Sequence, residues 1–381
     1  MRKVLLLAGE ESGALYAERI RQALLQANPA AEVRGYIDAG FEVGDLAVMG
    51  VLGVLRKIFF FMRVKRTMQR MIDEWRPDVV CTVDYPGMNL RLAAYAKSRG
   101  IRAVHVVCPQ VWAWKRGRIP RIEASVDALC CFFPFEPALF RPGFATFVGH
   151  PLLDEIRRER EGERSPASAD GPLLAVLPGS RMSEIRHHLP TLLEVVAALL
   201  KRVPGLRVAF PSANAKAHAA IEQGIAKFDS GWASDGSPVS VLPPGNARAA
   251  LADADCAVAA SGTVTLEAAL FGCPTVLVYK VDPLFAFLAR RFIRGVRHIG
   301  LANVIAEKAG VECPMPELLQ EDFTADAVTQ RLLSLLTDTA ANAEARQALA
   351  STVALLESDG GAIERIVRCI ASPELRLEIK I

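Results

Sequence analysis

The chain has 381 residues, 51% of them hydrophobic and 23% charged, with 45 basic and 42 acidic side chains for a net charge of +3. That length suits about two to three average domains, and the composition excludes general disorder, a disulfide-stapled miniature and wholesale binding of nucleic acid. The eight cysteines form no C-x-x-C pair and stand mostly in apolar runs, as reduced core residues of a cytoplasmic protein would.

The first apolar run, Val4 to Ala8, is too short for a signal-peptide core and is followed at once by Glu10 and Glu11. No segment approaches the roughly 18 uninterrupted apolar residues of a spanning helix, so the chain reads as neither secreted nor membrane-crossing. Val4 to Ala8, the glycine turn Gly9 to Gly13 and a helical pattern through Leu15, Ile20, Leu24 and Leu25 spell strand, turn and helix of a parallel sheet covered on both faces. Similar runs recur at Asp78 to Val83, Ala103 to Val107 and Ala128 to Phe132, with helical segments such as Leu90 to Ser98 between them. The first half is therefore a repeated βα arrangement.

Several residues at the strand exits of this half carry chemistry. Asp84, directly after Val83, is placed to take a proton from an acceptor hydroxyl, although an unperturbed carboxylate pKa of about 3.9 makes a weak base; an Asx turn before Pro86 is an equal reading. Glu10, Glu11 and Ser12 follow the first strand and face the same edge, one glutamate against substrate and the other in solvent. The run Val107 to Arg116 puts Trp112 and Trp114 directly after a strand, either packed under the turn or forming a wall for a sugar or acyl group. His150, in Phe147 to Pro151, is a further cleft-wall candidate, as is Asn89.

From Arg157 to Pro166 the chain is almost wholly charged, ending at Gly171-Pro172, and this is the expected linker. The pattern then restarts: a strand at Leu173 to Leu177, the turn Pro178-Gly179-Ser180 with Arg181, a helix near Leu189 to Lys201, and strands at Arg207 to Phe210, Cys256 to Ala259 and Thr275 to Val278. Open α/β sheets bind ligands at the carboxyl ends of their strands, where Arg181 is able to pair with a diphosphate; taken alone, it reads more readily as a surface arginine at a helix entrance. His187 and His188 are adjacent on a helix and point apart, which argues against a metal pair.

The sharpest signal is Ser261-Gly262-Thr263-Val264-Thr265-Leu266-Glu267. Small residues at a helix start expose backbone N–H groups, the helix dipole adds partial positive charge, and Glu267 one turn on is placed to accept from a ribose diol. An ordinary serine cap with a solvated glutamate has equal standing. The expected organisation is α/β, 1–160 and 171–357 as two parallel-sheet domains facing one cleft, with 358–381 a helical segment packing back on the first.

Between Asp45 and Asp73 there is no acidic residue. At about 100° per residue, Phe60, Val64, Met68, Met71 and Trp75 form one apolar stripe, and Leu55, Ile58, Phe59 and Met62 form another on the far side, flanked by Arg66 and Arg70. One stripe serves the core. The second, repeated in kind at Leu284 to Arg294, suits a helix lying on an anionic bilayer, with buried inter-helix contacts or a dimer surface as the other reading.

The motifs AGEESG at Ala8 to Gly13, LAVMG at Leu46 to Gly50, VDYPGMN at Val83 to Asn89, PQVWAWK at Pro109 to Lys115, FVGHP at Phe147 to Pro151, LPGSR at Leu177 to Arg181, ASGTVTLE at Ala260 to Glu267 and PELLQ at Pro316 to Gln320 run nearly the whole length. As an ordered set they resemble the lipid-A-disaccharide synthase family, inverting glycosyltransferases of the GT-B type with two Rossmann-like domains. The resemblance implies a reaction of UDP-2,3-diacylglucosamine with 2,3-diacylglucosamine 1-phosphate, at the cytoplasmic face of the inner membrane, without metal or other cofactor. It implies Asp84 as general base, Arg181 as the cation near the phosphates, Gly179, Ser180 and Ser261 to Glu267 (Ser261, Gly262, Thr263 and Glu267 above all) as the UDP site, and Asn303 as a polar cleft residue. A transferase or epimerase acting on UDP-N-acetylglucosamine, or a non-catalytic relative, is the alternative. Two positions depart from the family: Ala14 where an aspartate is usual, and Met88 where a phenylalanine is.

Overall fold

A computed structural model of the chain describes residues 2–42, 54–162, 171–234, 236–282 and 295–371. The chain divides into two compact units, Met1–Asp154 with Leu356–Ile381 and Glu155–Leu355. Each is built around a six-stranded sheet whose paired strands all run parallel. This is the doubly wound α/β architecture expected from the apolar runs.

In the first unit β1 (Lys3–Ala8), β2 (Glu32–Arg34), β3 (Val79–Val83), β4 (Arg102–Val106), β5 (Ala128–Cys131) and β6 (Ala145–Phe147) lie in the order β2-β1-β3-β4-β5-β6. The central strands are continuous β-branched and leucine runs because helices cover both faces: β3 is buried at every residue. One face packs Val4, Leu6, Cys81, Val83 and Val104 against Ile20, Leu24 and the carboxy-terminal helix Ala362–Ala371, which inserts Ile366, Cys369 and Ile370. That helix is pinned by polar contacts as well. Asp154 accepts from the Ala362 N–H at 2.6 Å, and Arg365 donates to the Phe147 carbonyl at 3.0 Å. The other face packs Leu5, Leu7 and Val80 against Val64, Met68 and Ile72 of the helix Val54–Trp75.

In the second unit β7 (Leu173–Leu177), β8 (Arg207–Pro211), β9 (Val239–Leu242), β10 (Cys256–Ala260), β11 (Thr275–Tyr279) and β12 (Glu317–Leu319) lie in the order β12-β11-β10-β7-β8-β9. Strand order reverses between β1 and β3 in the first sheet and between β7 and β10 in the second. Neighbouring loops leave such a reversal in opposite directions, and the crevice they open at the carboxyl ends is where open α/β sheets bind ligands. The turns after these four strands carry Glu10, Asp84, Gly179 to Arg181 and Ser261 to Thr263.

One expectation is corrected. Arg157 to Gly162 belongs to a helix, Pro151–Gly162, because Leu152, Leu153 and Ile156 give it a buried stripe that the surrounding charges conceal. The rest of the expected linker, 163–170, lies outside the described residues, as do the motif at 46–50 and the apolar run 284–294. Of the cysteines, Cys313 is half-buried and the other seven are buried, and all are free thiols.

Candidate active site

Asp84 stands at the end of β3 with φ of 50°, and Tyr85 after it also has φ of 50°. Two consecutive non-glycine residues in the left-handed region cost about 1–3 kcal/mol each, and the surroundings must hold them there. Asn89 does much of this. Its amide nitrogen donates to the carbonyls of Leu7 (3.2 Å), Val83 (3.1 Å) and Asp84 (2.8 Å), while its oxygen accepts from the Tyr36 hydroxyl at 2.7 Å. From the other side the Tyr85 ring lies against Gly9, where a side chain would collide with it. Ends of β1 and β3 are thereby locked together with Asp84 between them.

The Asp84 carboxyl is half-buried, and burial raises its proton affinity, opposed in part by the Tyr85 N–H. Glu10, on the neighbouring turn, is raised as well, first by burial and then by the Asp84 charge. Two carboxyls with elevated proton affinity thus share the switch point of the first sheet.

Three residues expected to line the cleft in this unit are buried instead. Asn89 is fully buried and spends its amide on the Asp84 turn. Trp112 is 9% exposed and its indole N–H donates to Glu136 at 3.1 Å, so the first of the two tryptophans packs under the turn, whereas Trp114 is 44% exposed. His150 lies between Phe132 and Phe133, accepts from the Leu152 N–H through Nδ1, and is held neutral by burial, its pKa lowered to about 4. The side chains of Glu11 and Ser12 fall outside the described residues.

Glu136 carries no signal of its role in the sequence. It is 2% exposed, takes the Trp112 indole on one oxygen and the Phe133 N–H on the other, and burial pushes its pKa up to about 8. Cys108, Cys131 and Glu136 are the one group among the described residues with ligand atoms close enough for a metal, within 4.8 Å of one another. With both carboxylate oxygens accepting hydrogen bonds and all three groups buried, the set reads as core polarity. Its pH dependence follows from the sign of the shift. Unfolded Glu136 ionises near 4.5 and the folded group near 8, so its contribution to stability falls as pH rises between those values. Glu136→Gln is expected to flatten that slope in denaturant titrations repeated from pH 5 to 8; an unchanged slope would place the proton elsewhere.

In the second unit the β7 exit is closed by Glu184, also unforeseen. Gly179 has φ of +125°, and a Cβ there would lie 2.6 Å from Glu184 Cβ and 2.7 Å from its Oε2. That Oε2 accepts from the backbone N–H groups of Ser180 (3.0 Å) and Arg181 (3.2 Å), and Oε1 accepts from the Arg181 guanidinium at 2.7 Å. The amides of Ser180 and Arg181 are therefore occupied, and what the turn offers a ligand is the Arg181 side chain, 66% exposed. His188 fixes the same turn from below: Nδ1 donates to the Pro178 carbonyl at 2.8 Å and Nε2 accepts from the Lys280 N–H at 2.9 Å. This joins the exits of β7 and β11 through a neutral imidazole whose pKa burial lowers.

After β10, Ser261 donates to the Ile299 carbonyl at 3.1 Å, and Thr265 turns its hydroxyl back to the Gly262 carbonyl at 2.8 Å. Gly262 and Thr263 are exposed, with open space where a Gly262 side chain would point. The helix Thr263–Phe271 begins here with no side-chain cap, and the Thr265 N–H donates to the Gly262 carbonyl at 3.2 Å. Glu267 is held through Oε1 by Arg248 Nε at 3.0 Å. Asn303 is fully buried and braces the loop instead of lining a cleft: it donates to the Met315 carbonyl (2.7 Å) and to Glu317 (2.9 Å) and accepts from the Met315 N–H. Glu317 also takes the N–H groups of Ile299 and Gly300, capping the helix Leu301–Ala309.

On the helix Val54–Trp75, Val64, Met68 and Ile72 are buried while Phe59 is 71% and Met62 41% exposed, with Arg66 and Arg70 exposed beside them. The side chains of Leu55 and Ile58 are outside the described residues. No helix among the described residues is long and apolar enough to cross a membrane.

The chain resembles known proteins over nearly its full length. The family model described as lipid-A-disaccharide synthetase matches residues 4–363. A lipid-A-disaccharide synthase from Chromohalobacter salexigens is 36% identical over 385 residues, covering 97% of this chain and 96% of its own. The chain belongs to the lipid-A-disaccharide synthase family. It is accordingly a glycosyltransferase of lipid A biosynthesis. Among solved structures, S. aureus MnaA with UDP superposes with a TM-score of 0.61 at 14% identity over 96% of this chain and 95% of that one. Acinetobacter baumannii MurG does so with 0.57 at 14% over 97% and 99%. Both likenesses speak for the fold, which is GT-B.

Proposed function

We propose that this member of the lipid-A-disaccharide synthase family transfers 2,3-diacylglucosamine from UDP to the 6-hydroxyl of 2,3-diacylglucosamine 1-phosphate, giving a β(1→6)-linked disaccharide 1-phosphate and UDP. Asp84 accepts the hydroxyl proton as the oxygen attacks the anomeric carbon, and the bond to the UDP oxygen breaks on the opposite side, inverting the centre. Charge gathering on the leaving diphosphate is met by the Arg181 guanidinium and by the N–H groups at Gly262 and Thr263. Glu267 accepts from the ribose hydroxyls through Oε2. Glu10 lies on the acceptor side with Asp84.

The observation that carries this reading is the Asp84 carboxyl, half-buried at the switch point on a strained turn, with its proton affinity raised toward that of a working base. The test is UDP release by the purified chain given both acylated substrates, against UDP-N-acetylglucosamine with the same acceptor. Release that requires both acylated partners supports the reading; equal turnover of the soluble donor would favour a transferase of unacylated sugars, and a C2-epimerised donor would overturn transfer altogether.

Acylated substrates reside at a membrane surface, and Phe59 and Met62 beside Arg66 and Arg70 suit reversible adsorption to an anionic cytoplasmic leaflet. Burying two such side chains is worth about 3 kcal/mol or more, roughly a hundredfold in partitioning. Phe59→Ser with Met62→Ser is expected to weaken sedimentation with phosphatidylglycerol vesicles by that order while leaving the folded state intact. Undiminished binding would assign the exposed pair to a homodimer contact, which a shift in sedimentation coefficient would reveal.

A further inference from the structure

Arg248, the second residue of the helix Ala247–Asp253, is gathered by three carboxylates. Its Nε donates to Oε1 of Glu267 at 3.0 Å, and its Nη1 donates to Oε1 of Glu155 and Oε1 of Glu159, each at 2.8 Å. Glu155 and Glu159 lie one turn apart on the helix Pro151–Gly162, so they present neighbouring oxygens to one donor. The Arg248 side chain is 31% exposed and that of Glu267 17%. Burial alone would ease the proton off this guanidinium, but the hydrogen bonds it donates to Glu155 and Glu267 more than offset it.

With three carboxylates on its guanidinium, Arg248 is not a free phosphate ligand. Its geometry does something else. A carboxylate on the outer turn of a helix normally samples several rotamers, and its oxygens exchange places. A guanidinium nitrogen on Oε1, itself anchored from another helix, removes that freedom and leaves Oε2, which accepts no hydrogen bond among the described residues, as the oxygen presented to a ligand.

We propose that Arg248 is the positioning residue for Glu267, holding it in the single orientation in which Oε2 meets the ribose diol of the donor. This rests on the reading of Glu267 as the ribose acceptor. Lysine is no substitute: its ammonium is a point charge on a flexible stem and does not present the fixed Nε that holds Oε1 of Glu267 here.

The test is calorimetric titration of the full chain with UDP and with 2′,3′-dideoxy-UDP, so that only the contribution of the diol is compared. Wild type is expected to prefer UDP by tenfold or more. Glu267→Gln should bring that preference close to one, Arg248→Lys should lower it by a similar factor, and the double variant should lose no more than either alone, since both remove the same interaction. Glu155→Gln with Glu159→Gln leaves the Nε contact in place and should keep the preference within about twofold of wild type; this variant serves if Arg248→Lys does not fold.

A preference lost in Glu267→Gln but kept in Arg248→Lys would overturn the positioning role while leaving the ribose reading standing. A preference lost by tenfold in the Glu155→Gln, Glu159→Gln variant would overturn it too, by moving the effect away from the Nε contact. A preference kept in Glu267→Gln would overturn the ribose reading itself, and the role of Arg248 with it.

Discussion

Asp84→Asn is expected to lower kcat by about 10²–10⁴-fold with little change in the KM of either substrate, the usual worth of a positioned general base. The substitution keeps the size of the side chain, and the backbone contacts that shape the turn, the Asp84 N–H to Val106 at 2.9 Å and the Asp84 carbonyl to Asn89 at 2.8 Å, are untouched. A loss of rate would then report chemistry and not folding. The pH profile carries the same signature. A base must be deprotonated to act, and burial raises the Asp84 pKa, so activity should climb with pH along a limb displaced above the ordinary carboxylate range, and Asp84→Asn should abolish that limb in its residual activity. Steady-state rates from pH 4 to 9 for both proteins decide this; a variant with wild-type kcat would remove Asp84 from the mechanism.

Asn89→Leu should have the largest structural effect of any single change near the site. It removes one acceptor and two donor hydrogens from a fully buried place. The Tyr36 hydroxyl, itself 3% exposed, and the carbonyls of Leu7, Val83 and Asp84 are left without this partner. Each buried polar group so abandoned costs about 1–3 kcal/mol, which places the total at about 3–5 kcal/mol with some relaxation allowed. The turn holding Asp84 and Tyr85 at positive φ loses its main brace, so kcat should fall by tenfold or more even in the fraction that remains folded. Denaturant unfolding, amide exchange at Asp84 and Tyr85, and steady-state kcat check both parts. Wild-type stability with unaltered exchange would show that the turn is held by other contacts, the packing of Tyr85 on Gly9 foremost.

The eight strands read from the sequence, β1, β3, β4, β5, β7, β8, β10 and β11, are those whose side chains are buried on both faces and so appear as apolar runs. The four it passed over, β2, β6, β9 and β12, are the outer strands of the two sheets. They are three or four residues long and half-exposed, as in Glu32-Val33-Arg34 and Glu317-Leu318-Leu319, and their pairing is imposed by the strand beside them. A short polar strand has no periodicity of its own to detect.

The site divides in the same way. Residues at strand exits were legible because the position itself is chemical. The residues that hold them were not, since their roles depend on partners far along the chain: Glu136 on Trp112, 24 residues away, and Arg248 on Glu155, 93 residues away. Glu184 is the exception, for a glutamate three residues after the helix entrance at Arg181 is the spacing by which a side chain reaches back to an N-cap amide. Conversely, Asn89, Trp112, His150 and, through the family resemblance, Asn303 stand in the sequence as ligand contacts but lie buried, since polar and aromatic residues beside a turn look alike whether they face solvent or core. Burial and a full set of hydrogen bonds separate the two, and neither is visible in one sequence.

Direct displacement inverts the anomeric carbon of the donor, and the product records it. Proton NMR of the disaccharide made by the purified chain from UDP-2,3-diacylglucosamine and the diacylated sugar phosphate measures the configuration and position of the new linkage. The expected product is a β-anomer joined to oxygen 6 of the acceptor, with one UDP formed per bond. An α-linked product, or free sugar and UDP with no linkage made, would contradict transfer by direct displacement.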